Sequence, residues 1–143
     1  MSPRIEATDN PAPADVASLL DGLRAFNLQA GGISIEPLAV WLRGEAGEMI
    51  GGLTGRTGAG WLFIEFFWLP EELRGRGFGS ELIRRAEDIA KERGCVGAWL
   101  DTFSFQAPGF YERHGYESFG VIEDYPPGSR RYFLQKRFDR SAG

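Results

Sequence analysis

The sequence predicts an α/β fold, a mixed sheet with helices on both faces, as a single domain over residues 1–143. Three observations carry that expectation. Trp61-Leu62-Phe63-Ile64-Glu65-Phe66-Phe67-Trp68-Leu69 is apolar except for one carboxylate and too short to cross a membrane, so it reads as a strand buried on both faces. From Phe78 to Arg93, Phe78, Leu82, Ile83, Ala86, Ile89 and Ala90 recur at helical spacing, and Gly94 supplies the stop. Cys95 to Leu100 is a second apolar strand. A helix returning the chain to its own sheet makes a right-handed crossover, so the two strands should lie parallel.

The other elements follow in chain order. Arg4 to Thr8 suggests a short first strand, ended by Asn10-Pro11-Ala12-Pro13. Asp15 is placed to cap a helix that carries Val16, Leu19, Leu20, Leu23 and Phe26 on one face and closes at Gln29 to Gly32. Two strands flank the turn Arg43-Gly44-Glu45-Ala46-Gly47-Glu48, the second running from Met49 to Leu53. A short helix covers Ala107 to His114. Tyr116 to Ile122 and Arg131 to Phe138 then form a hairpin across Asp124-Tyr125-Pro126-Pro127-Gly128. No repeat or low-complexity tract divides the chain.

Composition narrows the function classes. A net charge of −4 gives no electrostatic reason to bind nucleic acid or an anionic membrane face. The single cysteine, Cys95, excludes an internal disulfide framework and suits a reducing, cytoplasmic setting. No apolar run has transmembrane length, and the N-terminus lacks a signal-peptide core. No His, Cys and carboxylate grouping has metal-ligand spacing, so no metal is expected.

The chemistry concentrates in Arg74-Gly75-Arg76-Gly77-Phe78-Gly79-Ser80, the turn between the aromatic strand and the long helix. Alternate glycines remove side chains where backbone N–H groups could close on an anion, and the helix dipole favours negative charge there. The turn reads as a phosphate cradle. It lacks the Gly-Lys-Ser/Thr of a P-loop, and its spacing is G-x-G-x-G rather than the dinucleotide G-x-G-x-x-G.

These residues resemble the GNAT superfamily of N-acetyltransferases. Arg74-Gly75-Arg76-Gly77-Phe78-Gly79 matches that family's Arg/Gln-x-x-Gly-x-Gly/Ala signature. Ala107-Pro108-Gly109-Phe110-Tyr111-Glu112-Arg113-His114-Gly115-Tyr116 is similar to its Ala-x-x-Phe-Tyr-Glu-x-x-Gly-Phe segment. The resemblance covers about residues 48 to 138. It implies the GNAT acyl-CoA N-acyltransferase fold, a mostly antiparallel mixed sheet whose two parallel central strands splay apart and admit the pantetheine arm of acetyl-coenzyme A. Leu69 would then offer backbone groups to that arm. Arg74, Gly75, Arg76, Gly77, Phe78, Gly79 and Ser80 would hold the pyrophosphate, mostly through backbone N–H groups. The family's coenzyme-binding asparagine falls at Ser104 here, so Gln106 becomes the candidate substitute.

Acyl transfer to an amine sets three demands. An amine of pKa near 10.4 is only about one part in 2,500 neutral at pH 7, so its proton must be accepted. The tetrahedral intermediate needs a donor for its oxyanion. The departing thiolate, of pKa near 8.5, benefits from an acid. The resemblance makes Tyr111 that acid. Glu65 has two readings: a base whose pKa is raised by burial, or an outward-facing carboxylate held in an ion pair. His114 reads as a surface helix-end histidine, and Asp101 as either a residue at the cleft mouth or a turn cap. In this fold the acceptor site draws on the first helix, the loop after it and the C-terminal hairpin, which include Phe26, Trp41, Trp68, Phe103, Tyr125 and Arg130.

The implied function is transfer of acetyl from acetyl-coenzyme A to a primary amine of a small molecule, by direct attack and without a covalent enzyme intermediate. A non-catalytic acyl-coenzyme A binding module is the alternative. The acidic charge favours a small-molecule acceptor over nucleic acid, and monomer and homodimer both remain compatible.

Overall fold

The structure is a computed structural model that describes residues 2–106 and 108–139. The chain divides into two compact units, with the boundary after Ser34. The first unit contains one helix, α1 (Pro13–Gly31). It starts two residues before Asp15, with Ala12 as the cap position and Pro13 in the first turn. Proline suits that position because its N–H would be unsatisfied anyway and its φ is already helical. Asp15 therefore sits inside the first turn, where its charge meets the helix dipole. Gly32 closes the helix in the left-handed region, φ 66°. No strand forms at Arg4–Thr8, which has no partner segment to complete a ladder.

The second unit runs β1 (Glu36–Arg43), β2 (Met49–Gly58), β3 (Trp61–Trp68), α2 (Phe78–Glu92), β4 (Gly97–Phe103), α3 (Pro108–Arg113), β5 (Glu117–Glu123) and β6 (Arg130–Arg137). Single 3-10 turns at Glu71–Leu73 and Ser104–Gln106 follow β3 and β4. The six strands form one sheet in the order β1-β2-β3-β4-β6-β5. Only β3 and β4 run parallel. The expected short helix begins within its motif at Pro108; Ala107 lies outside the described residues. β4 begins at Gly97 rather than Cys95 because the Cys95 N–H still bonds to Ala90 O at the end of α2.

The core gathers Leu38, Leu53, Leu62 and Ile64 from the first three strands, Leu82, Ile83, Ala86 and Ala90 from α2, and Leu100, Tyr116 and Leu134. Two polar anchors fix α2 over it. At its C-terminal end Arg93 donates to Pro37 O and Thr57 Oγ1, both at 3.1 Å. Midway, buried Glu87 accepts from the Tyr116 hydroxyl at 2.8 Å and from Lys136 Nζ at 2.9 Å. A buried carboxylate is tolerable only with such partners.

The sheet contains a fork. β3 and β4 are paired at only three positions, Trp61 with Gly97, Leu62 with Ala98 and Phe63 with Trp99, and then diverge. On the other side of β3 the register slips, with Thr54 opposite Phe66 but Gly55 opposite Ile64, so Glu65 is an extra residue facing no β2 partner. A Cβ on Gly55 would lie 2.1 Å from Phe63 O, so only glycine fits opposite this bulge. Both-face burial of β3 is not observed. Leu62 and Ile64 are buried, whereas Glu65, Phe66 and Trp68 are exposed. The change comes where β3 loses its β4 neighbour and the bulge turns its side chains outward.

Candidate active site

The cradle follows from the end of β3. Pro70 and the Glu71–Leu73 turn carry the chain off the sheet, and Arg74 Nε donates to Leu69 O at 2.9 Å across the base of the loop. Gly75 and Gly77 then take positive φ values of 71° and 88°, which few other residues tolerate. Gly77 occupies the cap position of α2. As a result, none of the six backbone N–H groups from Gly75 to Ser80 has a hydrogen-bond acceptor in the described protein. Consecutive orphan donors at a helix N-terminus are a site for an anion. Gly79 is small for a different reason: a Cβ there would come within 3.2 Å of the Phe110 ring, so it lets α2 and α3 approach.

Two cavities meet beside the cradle. One, of about 550 Å³, is bordered by Leu69, Arg74, Gly75, Gly77, Gly79 and Ser80, and also by Tyr111. The other, of about 260 Å³, fills the fork between Ile64–Trp68 of β3 and Leu100–Thr102 of β4. Phe67, Trp68, Gln106 and Tyr111 border both, so cradle and fork are two ends of one cleft.

Most candidate residues are brought together there. Tyr111, on α3, packs edge-on against Phe67 and Phe110 with ring centroids 6.2 and 5.2 Å away. Burial pushes its hydroxyl up to about pKa 12. Among the described residues that hydroxyl has no hydrogen-bond partner, and Tyr111 lines both ends of the cleft. Gln106 Oε1 accepts from the Phe103 N–H at 3.0 Å, which fixes the side chain at the end of β4 and leaves its amide N–H groups without an acceptor among the described residues. Ser104, at the family's asparagine position, is engaged elsewhere, its Oγ accepting from the Arg130 N–H at 3.4 Å.

Three placements narrow the expectation. Glu65 borders the fork, but its side chain is 42% exposed and accepts from Arg56 Nη1 at 3.2 Å. The outward, ion-paired reading is the observed one, and burial of this carboxylate is not. The Leu69 carbonyl already accepts from Arg74, whereas its N–H is open to a ligand. The side chains of Arg76 and Phe78 do not line the cleft; the Arg76 guanidinium lies 5.2 Å above the Phe78 ring. What these two residues present at the cradle is their backbone N–H groups.

Two residues gain definition from the structure. Asp101 faces the fork opposite Glu65 and accepts from Arg131 Nε at 2.9 Å, while the Arg131 guanidinium lies 4.8 Å from the Tyr125 ring centroid. His114 stands at the end of α3, half-buried and engaged. Its Nε2 lies 3.0 Å from Ser80 Oγ, the last residue of the cradle, and its ring sits 4.8 Å from Phe110. Its pKa falls below the ordinary value, chiefly through burial. The 34-residue separation hides this pair from any local pattern.

The sequence profile described as the acetyltransferase (GNAT) family matches residues 9–116. A blasticidin-S acetyltransferase of Streptomyces morookaense is 46% identical over 103 residues, 71% of this chain and 76% of that protein. An acetyltransferase of Agrobacterium fabrum is 36% identical over 122 residues, 85% of this chain and 89% of its own. Among solved structures, an acetyltransferase from Agrobacterium tumefaciens superposes with a TM-score of 0.88 at 33% identity, over 94% of this chain and 99% of the other.

Proposed function

The chain belongs to the acetyltransferase (GNAT) family, and from that premise we propose that it moves acetyl from acetyl-coenzyme A to a primary amine of a small molecule by direct attack. The observation that carries this reading is the continuity of six orphan N–H groups with the fork in a single cleft. A diphosphate bearing an amide-linked arm is a ligand that needs both ends.

The residues present fit such a coenzyme. Gly75 to Ser80 offer the diphosphate their N–H groups, in a site where charge-assisted bonds contribute about 1.5–3 kcal/mol each. The unpaired edges of β3 and β4 offer backbone N–H and C=O groups to an extended amide chain, as a sheet edge does to an added strand. The Leu69 N–H and the Gln106 amide add donors at the junction. The bound coenzyme supplies the activated thioester; everything else is positioning and proton handling.

With its hydroxyl near pKa 12, Tyr111 stays neutral at working pH. It serves the departing sulfur as a hydrogen-bond donor rather than by full proton transfer, which would be uphill toward a thiolate of pKa near 8.5. Glu65, solvated and bordering the fork, receives the acceptor's ammonium proton through water. Asp101 on the opposite strand is neutralised by Arg131, so it orders the mouth of the fork without adding net charge. The Streptomyces relative is named for a small-molecule acceptor, and that supports the same class here.

A panel of small amines assayed for free-thiol release from acetyl-coenzyme A tests the proposal. Turnover with one or more amines, reduced by Tyr111→Phe, is the expected result. Tight coenzyme binding with no turnover on any amine, and no effect of Tyr111→Phe, would instead make the protein an acyl-coenzyme A binding module.

A further inference from the structure

We propose that His114 sets the direction in which the Ser80 hydroxyl donates, so that protonating one imidazole tightens the phosphate cradle and makes coenzyme affinity proton-linked. The inference rests on the reading of residues 75–80 as the coenzyme's diphosphate site.

Ser80 closes the run of orphan N–H groups and borders the cleft, and its Oγ lies 3.0 Å from His114 Nε2. The imidazole is held in place from two sides. Its backbone N–H bonds to Tyr111 O at 2.9 Å, and its ring packs on Phe110, the residue that also fixes Gly79. The contact therefore belongs to the packing of α3 against the start of α2.

A serine hydroxyl carries one proton. When the neutral imidazole holds its proton on Nδ1, Ser80 donates to Nε2 and presents only lone pairs to the cleft, which repel a phosphate oxygen. When Nε2 is protonated, it donates to Ser80 Oγ, and the hydroxyl proton is released toward the cleft as a seventh donor. The imidazolium allows only the second arrangement. It also brings a full positive charge to within one hydroxyl group of the cradle.

The surroundings favour the neutral imidazole until an anion arrives. Burial lowers the His114 pKa most. Arg84 of α2, Arg113 of α3 and Lys136 of β6 lower it further, and Glu87 of α2 opposes them. Both Glu87 oxygens are already engaged, one by the Tyr116 hydroxyl and one by Lys136. Glu112 and Glu117 border the cavity on the far side of the ring. A diphosphate at Ser80 supplies the missing negative charge and raises the His114 pKa. Affinity must then increase as pH falls from above the bound-state pKa to below the free-state one, with protons taken up on binding.

The test is calorimetric titration with dephospho-coenzyme A, whose lack of a 3′-phosphate removes a ligand titration from the same window. Between about pH 7.5 and 5.5 the wild type should gain roughly tenfold or more in affinity, the low end for one added hydrogen bond to a charged group, with heats that depend on buffer ionisation. His114→Gln keeps a donor toward Ser80 and should still bind, but without that slope. Ser80→Ala should lose most of the slope while His114 still titrates. As the chain's sole histidine, His114 gives a single, unambiguous Cε1–H resonance, which should report a higher pKa once ligand is added. Equal slopes in wild type and His114→Gln, or an unmoved resonance in a saturated complex, would overturn the link while leaving the coenzyme site intact. No binding at any pH would overturn the coenzyme reading and this inference with it.

Discussion

Phe63 and Trp99 are the last residues that β3 and β4 pair, and their rings stack with centroids 4.3 Å apart. The stack marks where the sheet stops being a sheet and becomes a cleft. Trp99→Ala should cost about 2–4 kcal/mol, somewhat less than truncating a fully buried aromatic because Trp99 is half-buried, and Trp99→Phe much less. Urea unfolding measures both. Coenzyme affinity should fall with Trp99→Ala and survive in Trp99→Phe if the stack sets where the fork begins.

The bulge at Glu65 makes a sharper claim about one glycine. Gly55→Ala puts a methyl group 2.1 Å from Phe63 O, against backbone that cannot yield, and should destabilise by about 3 kcal/mol or more. Gly22→Ala, inside α1 with nothing within 4 Å of the added carbon, should stabilise by about 0.5–1 kcal/mol. Thermal melts of the two variants should move in opposite directions.

In the cradle, Gly77→Ala and Gly77→Asp separate strain from charge. Both force a side chain into φ 88° with open space around it, at about 1–2 kcal/mol of folding stability. The aspartate also points a negative charge at the diphosphate, so the thermal shift given by acetyl-coenzyme A should weaken with alanine and vanish with aspartate. An aspartate variant with an undiminished shift would count heavily against the site.

How much of this could be read from the chain alone follows the range of each interaction. The strand, glycine turn and helix from Trp61 to Arg93 are local, and so is the Phe110-Tyr111 motif; all four appear where periodicity and spacing put them. Asp15 has a good capping side chain, but Pro13, whose fixed backbone is already helical, starts the helix two residues earlier. Arg4–Thr8 has strand composition but no partner, and a lone strand does not form. The outward turn of Glu65 depends on the register between β2 and β3, and a one-residue slip there is invisible in either strand. The Ser80–His114 contact requires α3 to dock on the start of α2, a fact of tertiary packing alone.

Tyr111 links stability to alkaline pH. Burial holds its hydroxyl proton more tightly in the folded chain, at about pKa 12, than in the unfolded one, near 10. Tyr116 shifts the same way, through burial and then its Glu87 neighbour. The folded state binds the extra protons, so this contribution is complete below about pH 10 and is lost as pH rises toward 12. Tyr111→Phe should flatten part of that decline. It should also lower kcat by about 10²-fold or less with little change in KM, as expected when a donor acts on the leaving group and not on binding.

The central claim is that the backbone amides of residues 75–80 grip the diphosphate beyond the open end of a forked sheet. Two-dimensional ¹H–¹⁵N NMR of the labelled protein, with acetyl-coenzyme A added to saturation, reads those amides one by one. The N–H resonances from Gly75 to Ser80 should show the largest shifts in the spectrum, accompanied by those of the β3 edge near Leu69. If the coenzyme binds and these six stay in place while another surface responds, the account is wrong.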